Sequence, residues 1–212
     1  MGWLVERLRD GVSVGGATLR GRVWRGRFPE ESNVEVSICQ GGCCGVLFHV
    51  KAFRGRPPYY RPWVEVHSVS PRGACGHSMA GPVEDAVISL ASMALGPGES
   101  LYFEYVWDPA TVAELEAGVP PRLSRLGFKL LSHGFTWVKD WYYPEGFMEG
   151  AQRLQGEKPA GGEALERHLR EALAEAGGLL ARLGRGGLPP AALASAGRAS
   201  ALALLAGSLL KV

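Results

Sequence analysis

Apolar and polar positions alternate with two different periods along this chain, and the change of period divides it. Residues 1–10 predict a short helix, and Thr18 to Phe28 reads as a strand weakened by its glycines. From Asn33 to Cys39 the alternation is regular, with Val34, Val36 and Ile38 on one face and Glu35 and Ser37 on the other. Val46 to Phe53 repeats the pattern with Val46, Phe48 and Val50. The glycines between these two strands supply a tight turn, so the pair predicts a β-hairpin. Arg54 to Pro62 reads as a Pro/Tyr-rich loop. Trp63 to Val69 follows as a strand, with Val64 and Val66 inward and Glu65 and His67 on the opposite face.

After Val69 the period becomes helical. Ser70 to Gly81 reads as a loop, and Pro82 to Leu95 carries Val83, Val87, Leu90, Ala91 and Ala94 at helical spacing. Pro82 suits the first helical position, Glu84 and Asp85 fall in the first turn, and Gly96-Pro97-Gly98 stops the helix. Then come a strand (Leu101 to Trp107), helices at Ala110 to Ala117 and Pro121 to Ser132, and a strand from Phe135 to Tyr143. The order β-β-β-β-α-β-α-α-β predicts an α+β fold, a mixed α/β three-layer design around one sheet.

Gly156 to Gly162 reads as a linker, which sets a domain of residues 1–159 apart from a helical appendage of residues 160–212. In the appendage, Leu165, Leu169, Ala172, Leu173, Ala176, Leu180 and Leu183 form one stripe, and Pro190 to Leu210 forms a second helix. Two amphipathic helices cannot bury their stripes alone. They predict docking onto each other, onto the main domain, or onto a second copy as a homo-oligomer.

Composition narrows the function classes. The formal net charge is only +2 over 212 residues, and no basic stripe is visible, which argues against nucleic acid. Arg20, Arg22, Arg25 and Arg27 mix both faces of a strand and read as a solvated edge. The most apolar stretch, Ala199 to Leu210, is shorter than the ~20 residues that span a bilayer. The N-terminus lacks a signal-peptide core. No membrane contact and a cytoplasmic location are therefore expected. The four cysteines (Cys39, Cys43, Cys44, Cys75) match no zinc spacing and are expected as reduced thiols, with a metal or redox site as the alternative.

Candidate chemistry lies on the strands and in the aromatic segment after Trp137. Glu104 sits mid-strand among apolar residues, where a carboxylate is either a site residue or the partner of a base such as Arg122 or Arg125. Glu65 shares a strand face with His67. A grouping of Glu65, His67 and Glu104 around a metal finds no support in local spacing, and no metal is expected. Tyr142, Tyr143, Glu145 and Glu149 lie beside Trp137 and Trp141, a composition suited to an aromatic-walled small-molecule cleft or simply to core and rim. His133 complements a helix C-terminus, and His49 and His168 have no catalytic-looking neighbour in sequence.

The element order and the loop Pro71-Arg72-Gly73-Ala74-Cys75-Gly76-His77-Ser78 resemble the GNAT-type acyltransferase fold. In that superfamily this loop, of pattern Gln/Arg-x-x-Gly-x-Gly/Ala, cradles the pyrophosphate of coenzyme A by backbone N–H groups and a helix N-terminus. Here Cys75 and His77 stand at two of the small-residue positions. Pro121 to Gly127, Gly134-Phe135-Thr136-Trp137 and Asp140-Trp141-Tyr142-Tyr143-Pro144-Glu145-Gly146 look like an uncharacterised, mainly archaeal family grouped with the GNAT-like fold, over roughly residues 15 to 160. The resemblance implies acetyl-CoA as cofactor and a small amine as substrate. It implies Arg72, Gly73, Gly76 and Ser78 as cofactor-binding residues, a carboxylate (Glu65 or Glu104) as base, and Tyr143 as the acid for the leaving thiolate. The alternative is a non-catalytic binding or assembly module that kept the fold and lost the cofactor loop.

Overall fold

The computed structural model describes residues 2–14, 17–25, 30–40, 43–53, 63–72, 80–104, 106, 108–142 and 152–209. Contacts divide the chain into two compact units, Met1–Tyr105 and Val106–Val212.

The first unit opens with helix α1 (Gly2–Asp10) and strand β1 (Val12–Val14). Strands β2 (Ala17–Arg25), β3 (Glu31–Gln40), β4 (Cys43–Phe53) and β5 (Trp63–Arg72) follow, each antiparallel to its neighbour. Helix α2 (Ala80–Ala94) then crosses over to β6 (Ser100–Glu104), which lies parallel to β5. A parallel pair requires such a crossover. Sequence alternation makes one sheet face apolar: Val23, Val34, Val50, Val66 and Phe103 form one rung across five strands. Val34, Val50, Val64 and Val66 are at most 1% exposed. The core is closed by Leu4 and Leu8 of α1 and by Val87, Ile88 and Ala91 of α2. Gly21 explains how closely α1 lies on β2. A Cβ there would come within 2.5 Å of Val34 Cγ1 and 3.0 Å of the Leu8 backbone.

Two expectations shift in this unit. Helix α2 begins at Ala80 and not at Pro82, so Glu84 and Asp85 fall in its second turn and the first turn carries no acid. Strand β5 runs on to Arg72, so Pro71 and Arg72 belong to the strand. Gly96 closes the far end of α2 as expected, its N–H donating to the Glu99 carboxylate at 2.7 Å. Cys39 is disulfide-bonded, not a reduced thiol, and Cys44 stands opposite it in the β3–β4 register. The expected loop at residues 54–62 lies outside the described residues.

The second unit contains helices α3 (Pro109–Glu116) and α4 (Arg125–Ser132), the antiparallel strands β7 (Trp137–Tyr142) and β8 (Gln152–Glu157), and helices α5 (Gly162–Gly184) and α6 (Leu193–Leu209). Asp108 caps α3 by accepting from the Thr111 N–H at 3.0 Å. The single helix expected over 121–132 is split. Pro121–Leu123 forms a 3-10 turn, and Ser124 then caps α4 by accepting from the Gly127 N–H at 3.2 Å. The fold of this turn needs Gly127, because a Cβ there would sit 1.8 Å from the Pro121 carbonyl oxygen.

Strand β8 replaces part of the expected linker. The helices beyond it share one core with the α3–α4 region: Val119 and Leu123 pack with Ala172, Ala176, Leu179, Ala192, Ala199, Leu202 and Ala206. The division by contacts falls at 105/106. Small alanines let the helices approach closely and exclude water from Leu123. The buried stripe of α5 is His168, Ala172, Ala176 and Leu179, rotated from the leucine stripe read in sequence. Leu165 and Leu183 are left at 38% exposure. Among the described residues no helix is long and apolar enough to cross a membrane.

Candidate functional site

The face of the first unit's sheet opposite the valine rung is polar, and the strand register shows what the sequence alone could not. One rung reads Trp24, Asn33, Lys51, Glu65, Tyr102 from β2 to β6. The next reads Arg22, Glu35, His49, His67, Glu104. Neighbouring strands lie about 4.8 Å apart, so each rung is a row of adjacent groups on one face.

Glu65 is only 8% exposed, and Lys51 donates to its Oε1 at 3.3 Å. Burial of a carboxylate costs several kcal/mol, of order of magnitude, unless a cation answers it, and Lys51 is that cation. Asn33, 5% exposed, donates to Glu31 at 3.1 Å. Such burial in the middle of a polar face means this part of it is covered and not bathed in bulk water.

Glu104 ends β6, at the last register pair with β5, opposite His67. Beyond that pair β5 continues through Ser68 to Arg72. The β4–β5 register shifts over the same stretch, from Phe48↔Ser68 to Val46↔Arg72, which marks a bulge in β5. Bulges re-aim strands near functional sites. Of the residues expected to serve a cofactor or a reaction, Glu65 and Glu104 are thus brought to one sheet face, and Arg72 to the end of β5. Gly73, Gly76, Ser78 and Tyr143 lie outside the described residues. His49, set aside in sequence as neighbourless, stands between Glu35 and His67 in register; only strand pairing could have found this.

The basic residues proposed as partners of Glu104 are engaged elsewhere. Arg125 pairs with Asp108. Arg122 is 2% exposed. It donates through Nη1 to the His168 carbonyl at 2.6 Å, meets Glu171 at 3.5 Å through Nη2, and faces Glu175 Oε2 at 3.1 Å through Nε, without hydrogen-bond geometry. His168 is buried too, and its Nδ1 shares a hydrogen bond with Thr136 Oγ1 at 2.9 Å. Burial pushes the His168 imidazole below its ordinary pKa, with Arg167 and then Arg122 adding to the effect against Glu171. Burial raises the Glu175 carboxyl, against the pull of Arg122.

A second charged group, Glu114 at 3% exposure, accepts from the Arg125 N–H at 2.6 Å and from Arg198 of α6. Arg198 also donates to the Leu123 carbonyl at 2.7 Å, and Arg182 donates to the Ala117 and Gly118 carbonyls that end α3. Every one of these arginines joins α5 or α6 to the α3–α4 segment or stays within that segment. They read as fasteners of the second unit.

No curated protein matches the chain. A crystal structure of a protein of unknown function from Aquifex aeolicus VF5 is similar, with a TM-score of 0.71 and 36% identity, over 85% of this chain and 92% of the other. A family described as protein of unknown function, DUF1122, matches residues 15–183. That span takes in all of β2 through α4 and most of α5, so the chain belongs to the DUF1122 family.

Proposed function

We propose that this protein is a coenzyme A-dependent N-acyltransferase acting on a small amine. The observation that carries the reading is the β5–β6 pair. Among the described residues its register runs to His67↔Glu104, and β5 continues, bulged, to Arg72. If β5 has no partner beyond that point, its edge offers N–H and C=O groups to an extended ligand such as the amide-bearing arm of coenzyme A. Arg72 stands at the end of that edge, and the first turn of α2 carries no acid. A pyrophosphate beside Gly73, Gly76 and Ser78 then meets a helix N-terminus free of like charge in its first turn.

Acetyl-CoA would supply an activated thioester when bound. Glu104, the last residue of β6, takes the proton from the attacking amine directly or through water. Glu65 is the second carboxylate on this face, and its charge is held by Lys51. The amine nitrogen bonds to the acyl carbon, the C–S bond breaks, and Tyr143 protonates the departing thiolate. Calorimetric titration with acetyl-CoA tests the reading: saturable binding at one site per chain is expected. No heat at millimolar ligand with folded protein removes it.

Cys75 and His77, at positions where the acyltransferase loop carries small residues, favour a second reading, a non-catalytic module that self-associates. Leu204 and Leu205 on α6 are 78% and 62% exposed, and a second copy is the partner that reading assigns to them. A monomer in sedimentation, with acetyl-CoA bound, selects the enzyme over the module.

A further inference from the structure

We propose that the outer edge of β2 from Arg20 onward docks an acidic, extended peptide segment, which adds to the sheet as an antiparallel strand. This is independent of acyl transfer. Strand β1 ends the sheet and pairs with β2 only at Ala17, Thr18 and Leu19. The chain passes from α1 into β1 at Gly11, whose φ of 97° is one that other residues rarely adopt. Helix α1 lies over the sheet face, with Leu8 against Gly21, and no described strand continues β1 along residues 20–25. On its other side β2 is paired with β3 as far as Arg25, so alternate residues of this stretch direct their N–H and C=O groups outward. Such an edge is a template for an added strand.

Charge and side-chain pattern select the occupant. Arg20, Arg22, Val23 and Trp24 are all exposed, Trp24 to 42% and Val23 to 37%. Residues 1–25 carry Arg7, Arg9, Arg20, Arg22 and Arg25 against only Glu6 and Asp10. Behind the edge, Glu35 is the register partner of Arg22, but Arg20 stands opposite Ser37. A second copy fits poorly. Added antiparallel about a two-fold axis, it sets Arg20 against Arg22 in the register centred on Gly21, and Arg22 against itself in the register centred on Arg22. Like charges directly opposite destabilise a strand pair. A segment with carboxylates two residues apart answers both guanidiniums, and an apolar residue two positions before them meets Trp24. In antiparallel pairing that pattern reads apolar-x-acid-x-acid. The charges that blunt this edge against self-association thus make it selective for acid.

Fluorescence anisotropy on the full chain tests this, with a fluorescein-labelled octapeptide of threonine carrying Phe-x-Glu-x-Glu as the probe. Saturable binding is expected, weaker as salt is raised. Arg20→Glu/Arg22→Glu, at exposed positions, weakens it by about tenfold or more and gains binding to the peptide with lysine in place of both glutamates. Arg185→Glu, exposed in the second unit, leaves it unchanged. Two peptides N-methylated at alternate amides separate edge pairing from charge. One set of amides faces β2 and the other faces away, so one peptide binds and the other does not, and this arm needs no protein variant. No saturable binding at millimolar peptide overturns the proposal. So does equal binding of both methylated peptides, or a folded Arg20→Glu/Arg22→Glu variant that binds as the parent does. A dimer in sedimentation that Val23→Lys dissolves gives the edge to a second copy and overturns it too.

Discussion

Replacing Arg122 with alanine removes the guanidinium on which α5 is seated. The side chain is 2% exposed and gives one short hydrogen bond to the His168 carbonyl and two ionic contacts, to Glu175 at 3.1 Å and Glu171 at 3.5 Å. Breaking a fully buried ion pair costs about 3–5 kcal/mol. Here the acid side chains remain 32% and 45% exposed, so water takes up part of their charge and the low end, about 3 kcal/mol, applies. The orphaned His168 carbonyl is included in that figure. For a chain of this size about 3 kcal/mol lowers the melting temperature by roughly 6–12 °C. Thermal melts followed by far-ultraviolet circular dichroism measure it. Adding Glu175→Gln to Arg122→Ala removes the stranded carboxylate and recovers part of the loss. A single variant within about 1 kcal/mol of the parent, or a double variant as weak as the single, refutes the electrostatic account.

The two shifted groups in the second unit act oppositely on pH dependence. The folded-state pKa of His168 is lowered. The unfolded chain therefore binds more protons just below pH 6.5, and stability falls as pH drops through that region; urea titrations at several pH values show a smaller fall in His168→Gln. The Glu175 carboxyl is raised above 4.5, so its contribution is greatest in acid and is lost as pH rises through the folded-state pKa. A Glu175→Gln variant that kept the parental slope above pH 4.5 would contradict this. Gly127→Ala forces a Cβ to within 1.8 Å of the Pro121 oxygen and destabilises by about 3 kcal/mol or more, at or beyond the upper end of overpacking costs, whereas Gly134→Ala meets nothing within 4 Å and loses only what its positive φ demands. Ser124→Ala removes the α4 cap and costs about 1 kcal/mol, read from the same melts.

Local rules carried the sequence reading as far as local physics reaches. Alternation in β3 and β5, the Gly96-Pro97-Gly98 stop and the short helix read at Ala110 to Ala117 are each written within a few residues. Strand β8 was not legible because Gln152 to Glu157 contains one apolar residue, Leu154; pairing with β7 makes it a strand. The split at Ser124 was hidden because Pro121-Arg122-Leu123 fits a helix start as well as a 3-10 turn. The partners of Arg122 lie 49 and 53 positions onward on α5, and nothing near Arg122 announces them. On the sheet the same limit applied: Glu65 and Glu104 stood out as carboxylates in strands, but the row from Glu35 to His67 exists only once the register is known.

The shared core of the second unit also sets an order of assembly during synthesis. Residues 1–105 are contiguous, so the contacts within the first unit are all available before the rest emerges from the ribosome. The α3–α4 segment has no such independence, because Val119 and Leu123 find their apolar neighbours on helices translated 50 to 90 residues later. Until Ala199 and Leu202 arrive, that surface is open to other nascent chains and to chaperones. A ribosome stalled before α6 would leave the second unit without the helix that covers Val119 and Leu123, the form most exposed to proteolysis.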